Sequence, residues 1–146
     1  MERGNFYEKT KEFLEYNKDN ILKNLLEAEH HAKMLTSEIK GGHANCIIKH
    51  LLFIEGEAEE AINHSEIAEP KNVELFKMFR DLVYSLRKSI MRGKIKDPFE
   101  LSRKIWILRK VFESFNEEYD TTKCAGCEIL TYYDKGRERE KLEVIS

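Results

Sequence analysis

Apolar residues recur at intervals of three and four over four long stretches of this chain, and this spacing constrains the fold more than any other feature. Only two prolines and seven glycines occur in 146 residues, so few positions interrupt a helix. Such periodicity places apolar side chains on one face of an α-helix, and that face must be buried against other helices. The sequence therefore predicts an all-α fold.

The first three stretches have recognisable ends. The first is predicted to be helical over Phe13–Ile39, with Gly41–Gly42 terminating it. The second helix follows at once and ends before Pro70, and the third is expected over Val73–Met91. Because the first two helices are joined by a short connection, they should form an antiparallel pair.

The fourth stretch starts at a clear N-terminal signal. Asp97 suits the N-cap, Pro98 the first helical position and Glu100 the third, and the apolar pattern then continues to Tyr119. Four helices joined by short loops favour an up-down four-helix bundle. A chain of this length is expected to form one domain, residues 1–146.

The pattern changes after the fourth helix. We predict the bundle over about residues 6–120 and a C-terminal knuckle and tail over residues 121–146. Cys124 and Cys127 enclose the knuckle, and the tail combines a β-favouring run with a helix-favouring stretch. A short hairpin and a short fifth helix both remain open for the tail.

Cysteine usage and the N-terminal sequence predict a cytoplasmic location. Three cysteines cannot all pair within the chain, and the first residues lack the apolar region of a secretory signal. In a reducing compartment, a close cysteine pair is more often a metal ligand or redox centre than a disulfide. No apolar run approaches the roughly 18 residues of a membrane span, so no membrane partner is expected. The many Glu and Lys residues, with no Gln, are typical of heat-adapted proteins.

The cysteines and histidines predict a metal site. Cys124 and Cys127 have the two-residue spacing that lets two thiolates reach one tetrahedral ion. His43, Cys46 and His50 fall on one face of the second helix, but His43 and His50 lie about 10 Å apart along its axis. The predicted ligands are therefore Cys46, Cys124 and Cys127 with His43, or with His50 in its place. His43 is preferred because the preceding glycines leave it freer to turn, and zinc is the expected metal, with an iron–sulfur cluster next.

This metal site constrains the topology. In a simple up-down bundle the two halves of the site lie at opposite ends, too far apart for a short loop to bridge. The site therefore requires an early end to the fourth helix, a different helix order or a second subunit. A homo-oligomer is accordingly one expected partner arrangement.

The leading functional prediction is a small cytoplasmic metal-binding helical bundle, with structural zinc, that acts as a binding or regulatory module. The alternative is an enzyme, either a helical thiol redox protein or a carboxylate-metal protein of di-iron type. Glu27 and His30 have the Glu-x-x-His spacing, which resembles that of carboxylate-bridged di-iron bundles. The third and fourth helices contain no histidine, so the second copy of that pattern is missing.

The charge is unevenly distributed along the chain. The net charge is −2, yet residues 71–110 carry 12 basic and 4 acidic residues. We predict a positive pole between the third and fourth helices, formed by Arg87, Lys88, Arg92 and Lys94. Such a pole suits a nucleic-acid phosphate backbone or an acidic protein partner.

Overall fold

The computed structural model describes residues 2–117, and the side chains of residues 6–114. This part of the chain contains four α-helices, namely α1 (Glu2–Lys33), α2 (Gly42–Ala68), α3 (Val73–Met91) and α4 (Pro98–Glu117). A 3-10 turn, Pro70–Asn72, joins α2 to α3. No strand occurs among the described residues, so the predicted all-α class is confirmed there. None of these four helices combines the length and apolarity needed to cross a bilayer.

The core follows the apolar stripe that the sequence predicts on each helix. Its fully buried side chains include Leu14, Ile21 and Leu25 on α1, Ile47, Leu51 and Ile54 on α2, Phe76, Phe79 and Val83 on α3, and Leu101 and Ile105 on α4. α1 packs against α2, and α2 packs against α3. Burial of these side chains is the main favourable contribution to folding.

The first two helices are antiparallel, as predicted. His31 near the end of α1 contacts His43 near the start of α2, whereas Asn24 contacts His50. The second contact lies seven residues earlier on α1 and seven residues later on α2. Two helical turns separate the contacts on each helix, so together they fix the register of the pair.

The end of α1 differs from the prediction. The helix ends at Lys33 and does not continue to Ile39. Thr36 and Ser37 lie in the exposed connection that follows, and both residue types favour non-helical conformations over a helix interior. Gly41 has a φ of 88° and precedes the first residue of α2, so the glycine pair begins α2 and does not terminate α1.

The turn between α3 and α4 is tightly hydrogen bonded. Gly93 has a φ of 68°, a left-handed conformation that glycine adopts without strain. The N–H of Gly93 donates to the Ile90 carbonyl at 3.1 Å, and the N–H of Lys94 donates to the Ser89 carbonyl at 3.0 Å. These two bonds form a Schellman motif, which satisfies carbonyls that the end of α3 leaves unpaired.

Asp97 caps α4, and we expect Asp97→Ala to lower the free energy of unfolding by about 1 kcal/mol. Its Oδ1 accepts a hydrogen bond from the Phe99 N–H at 3.0 Å, and alanine leaves that N–H without this partner. Urea unfolding followed by circular dichroism measures the change. Asp97→Asn keeps the acceptor and should change stability by only a few tenths of a kcal/mol. Equal losses in the two variants would contradict a capping role.

The described residues up to Arg109 form one compact unit, and Lys110–Glu117 continue α4 into a second unit. Within the first unit, α4 is joined to α1 by an ion pair between Arg109 and Glu29. The Nε–Oε2 separation is 2.7 Å, and Nη2 donates to Oε1 at 3.0 Å. The single-domain assignment stays a prediction, and the cysteine knuckle of residues 121–146 lies outside the described residues.

Candidate metal centre

A row of polar side chains runs along one side of the α1–α2 pair. Its members recur every seven residues, with Asn17, Asn24 and His31 on α1, and His43, His50, Glu57 and His64 on α2. We call this row the polar seam. Seven residues are two helical turns, so each helix holds its members on one face. All of them are buried or only partly exposed, so the seam brings imidazole, amide and carboxylate groups together at a semi-sheltered surface.

Two members of the seam and a neighbouring glutamate lie close enough together to be candidate metal ligands. Glu27, His31 and His50, here named the EHH cluster, each offer one ligand atom, and these atoms all lie within 4.8 Å of one another. Glu27 and His31 are four residues apart on α1, so they lie one above the other on the same face. His50 comes from α2, so an ion bound by all three would join the two helices.

His31 is at the centre of a group of imidazole rings. Its ring centroid lies 5.2 Å from that of His43, 5.7 Å from that of His50 and 5.7 Å from that of the exposed His30. The Nδ1 atoms of His31 and His43 are 2.9 Å apart, which is hydrogen-bond distance. His31 therefore contacts His43 through one ring nitrogen and has the other available to the EHH cluster.

His50 is held by a neighbour on α1. Its Nδ1 lies 2.8 Å from Oδ1 of Asn24. Burial lowers the pKa of His50 below its ordinary value, and the nearby His31 lowers it further. A lowered pKa keeps the imidazole neutral at neutral pH, which is the form that binds a metal ion.

A second polar group lies further along the seam, around Asn17. This side chain is 1% exposed, and its Nδ2 donates to Glu57 at 2.8 Å and to Glu60 at 3.0 Å. Its Oδ1 lies 2.7 Å from Nδ1 of His64, whose ring stacks on Phe13 with the centroids 5.5 Å apart. Every polar atom of the Asn17 side chain thus has a partner, so this group is a hydrogen-bond network that buries an amide at low cost.

No family model, curated protein or solved structure matches this chain.

The EHH cluster has a donor set with a recognised chemistry. Two imidazole nitrogens and one carboxylate oxygen form a donor set that zinc and other first-row divalent ions accept.

The structure places the predicted metal ligands in different settings. His50, the alternative ligand, belongs to the EHH cluster, whereas His43 lies against His31. Cys46 is a partly exposed free thiol on the same helix. Cys124 and Cys127 lie outside the described residues, so the thiolate site stays a prediction.

His31 is the cluster member that the sequence spacing did not pair with Glu27. The sequence paired Glu27 with His30, three residues on, whereas the structure pairs Glu27 with His31, four residues on. The sequence does contain a signal for His31. Asn24 and His31 are seven residues apart on the first helix, and His43 and His50 are seven residues apart on the antiparallel second helix. Aligning these two intervals in antiparallel order gives the observed contacts.

One of the four residues of the predicted positive pole is neutralised by a carboxylate. Arg87 forms an ion pair with Glu55 on α2, through Nε to Oε2 and through Nη2 to Oε1 at 3.1 Å. This hydrogen bonding raises the pKa of Arg87 above its ordinary value. Lys88 lies over the Tyr84 ring, with Nζ 5.6 Å from the ring centroid, and Arg92 and Lys94 are exposed. Much of the Arg87 charge is therefore neutralised within the fold.

Proposed function

We propose that this protein binds one divalent transition-metal ion, zinc foremost, at the EHH cluster, and that it acts as a metal-dependent binding or regulatory module. One observation carries the proposal. Ligand atoms of three side chains from two helices lie within 4.8 Å of one another. Tetrahedral zinc with bonds near 2.1 Å needs ligand atoms roughly 3.4 Å apart, so the three side chains would have to draw together by up to about 1.4 Å on binding.

The three ligands that residues 6–114 supply favour an exchangeable position on the metal. Structural zinc sites are closed by four protein ligands, whereas sites with three leave room for water or another ligand. Two histidines and one carboxylate also suit non-haem iron(II). The open position supports a second candidate function, a carboxylate-metal enzyme with one metal ion, as an alternative to the regulatory module.

The thiolate site is a separate proposal. Cys46, Cys124 and Cys127 with His43 would bind structural zinc, and the two distal cysteines could instead act as a thiol redox pair. This set shares no ligand with the EHH cluster unless His50 replaces His43. The two proposals therefore predict different zinc contents for cysteine variants.

Zinc content in a cysteine-free variant tests the proposed function. Protein purified without an affinity tag is expected to bind zinc, and the Cys46→Ser, Cys124→Ser, Cys127→Ser triple variant should keep one zinc ion per chain. Elemental analysis gives the stoichiometry, and iron in place of zinc would favour the enzyme alternative. If the triple variant binds no metal while the wild type does, the thiolates and not the EHH cluster hold the ion.

Three further predictions remain proposals based on the sequence, namely the cytoplasmic location, the homo-oligomer and the polyanion partner. The better candidates for polyanion binding are Lys88, Arg92 and Lys94, because the Arg87 guanidinium already forms an ion pair with Glu55. Neutralising these three lysine and arginine side chains should reduce the salt dependence of any nucleic-acid binding.

A further inference from the structure

The amide of Asn24 has a defined orientation, because both of its ends are hydrogen bonded. Its Nδ2 donates to the carbonyl of Asn20 at 2.8 Å, which directs Oδ1 toward His50. An amide oxygen can only accept, so Nδ1 of His50 must be the donor in the 2.8 Å contact. A neutral imidazole carries one N–H, so Nε2 of His50 keeps its lone pair and is the atom available to a metal ion.

The contact between His31 and His43 allows the corresponding assignment for His31 once a metal is bound. Its Nδ1 is 2.9 Å from Nδ1 of His43, so this nitrogen is engaged and Nε2 is the remaining ligand atom. For Nε2 to bind a metal, the proton of neutral His31 must be on Nδ1. His31 then donates to His43, and His43 accepts through Nδ1 and carries its own proton on Nε2.

From these contacts we infer that Asn24 and His43 are positioning residues of the metal site, which hold His50 and His31 in the tautomers that direct Nε2 to the ion. The inference rests on the proposed function and deepens it, because it assigns the ligand atoms and adds two residues that do not touch the metal. Hydrogen-bond partners of this kind fix the ring orientation of metal-binding histidines and increase their basicity.

His64 provides an internal comparison. It makes the same kind of contact as His50, with Nδ1 2.7 Å from an asparagine Oδ1, and the orientation of Asn17 is fixed by its two carboxylate acceptors. His64 should therefore have the same tautomer. It is not part of the EHH cluster, so adding zinc should not move its Nε2 signal.

Zinc affinity of Asn24 variants, measured by chelator competition, tests the inference. Asn24→Leu removes the acceptor and should weaken zinc binding by roughly 10- to 100-fold. Asn24→Asp keeps an oxygen that accepts from Nδ1 of His50, so its affinity should stay within a few-fold of wild type. The matched control is Asn20→Leu on the same helix, which keeps the carbonyl that Asn24 contacts and should leave affinity unchanged. His43→Phe keeps a ring but no acceptor, and should also weaken binding.

NMR of the ring nitrogens distinguishes a positioning role of Asn24 from a general effect on stability, because it reports which nitrogen of His50 carries the proton. At about pH 8, above the ordinary histidine pKa of roughly 6.5, metal-free His50 should carry its proton on Nδ1, and zinc should shift its Nε2 signal. A proton on Nε2 of His50, or an Asn24→Leu variant with wild-type affinity, would overturn the inference and leave the proposed function intact. A wild-type protein that binds no zinc would overturn the proposed function, and the role of both positioning residues with it.

Discussion

The His50→Ala variant is expected to bind zinc more than about 100-fold more weakly than the wild type. His50 is the one member of the EHH cluster that α2 supplies, so its loss leaves two ligands on α1 alone. The loss should exceed the roughly 10- to 100-fold effect of removing a residue that only positions a ligand. His31→Ala should have a similar effect, and chelator competition measures both.

Two other histidines serve as controls for this prediction. His30 is exposed and touches His31 only at a ring edge, and His64 lies in the separate Asn17 network. His30→Ala and His64→Ala should each bind zinc within a few-fold of wild type. If all four histidine variants lose affinity equally, the protein binds zinc by general surface attraction and not at the EHH cluster.

Replacing Glu29 with leucine should lower the free energy of unfolding by about 2–3 kcal/mol, the loss expected when a hydrogen-bonded charge pair at a sheltered position is broken. The Glu29 side chain is 5% exposed and that of its partner Arg109 is 12% exposed, so both charges are largely removed from water. Removing the carboxylate deprives the sheltered guanidinium of a contact through two nitrogens. Denaturant unfolding, with the wild type measured in parallel, gives the difference.

Two further variants separate the charge effect from a packing effect. Lys33 also lies near Glu29, at 3.6 Å, but its side chain is 58% exposed, so Lys33→Ala should cost less than about 1 kcal/mol. The Glu29→Leu, Arg109→Leu double variant removes both charges and should recover most of the stability lost in Glu29→Leu. A double variant less stable than Glu29→Leu would show that Arg109 stabilises the fold through contacts other than the one with Glu29, or that leucine packs poorly at these positions.

The helices could be predicted because their determinants are local. Apolar spacing identified the buried stripe of every described helix, and Asp97 marked the start of α4. The predicted end of α1 is wrong, because the helix stops at Lys33, well before the glycine pair, and Thr36 and Ser37 already lie in the connection. Both residue types favour non-helical conformations over a helix interior, and this preference outweighs the apolar spacing that continues to Ile39.

The candidate site was less accessible to sequence reasoning because it depends on register between helices. Periodicity put His43, Cys46 and His50 on one face of α2, and the structure keeps His43 and His50 at the seam. It does not by itself indicate which α1 residues face them, because the predicted end of α1 lies six residues beyond the observed end at Lys33. Cys124 and Cys127, the predicted further ligands of the thiolate site, lie outside the described residues, so the prediction that they share a metal with α2 is not tested.

The EHH cluster and both residues that position its histidines lie between Asn24 and His50. The ion pair of Glu29 with Arg109, by contrast, joins positions 80 residues apart. During synthesis the ribosome completes every member of the site before it begins α3. Contacts between near neighbours in sequence also close with a smaller loss of chain entropy. A metal ion bound by the newly synthesised α1–α2 pair would therefore stabilise that pair early in folding, before α4 is synthesised.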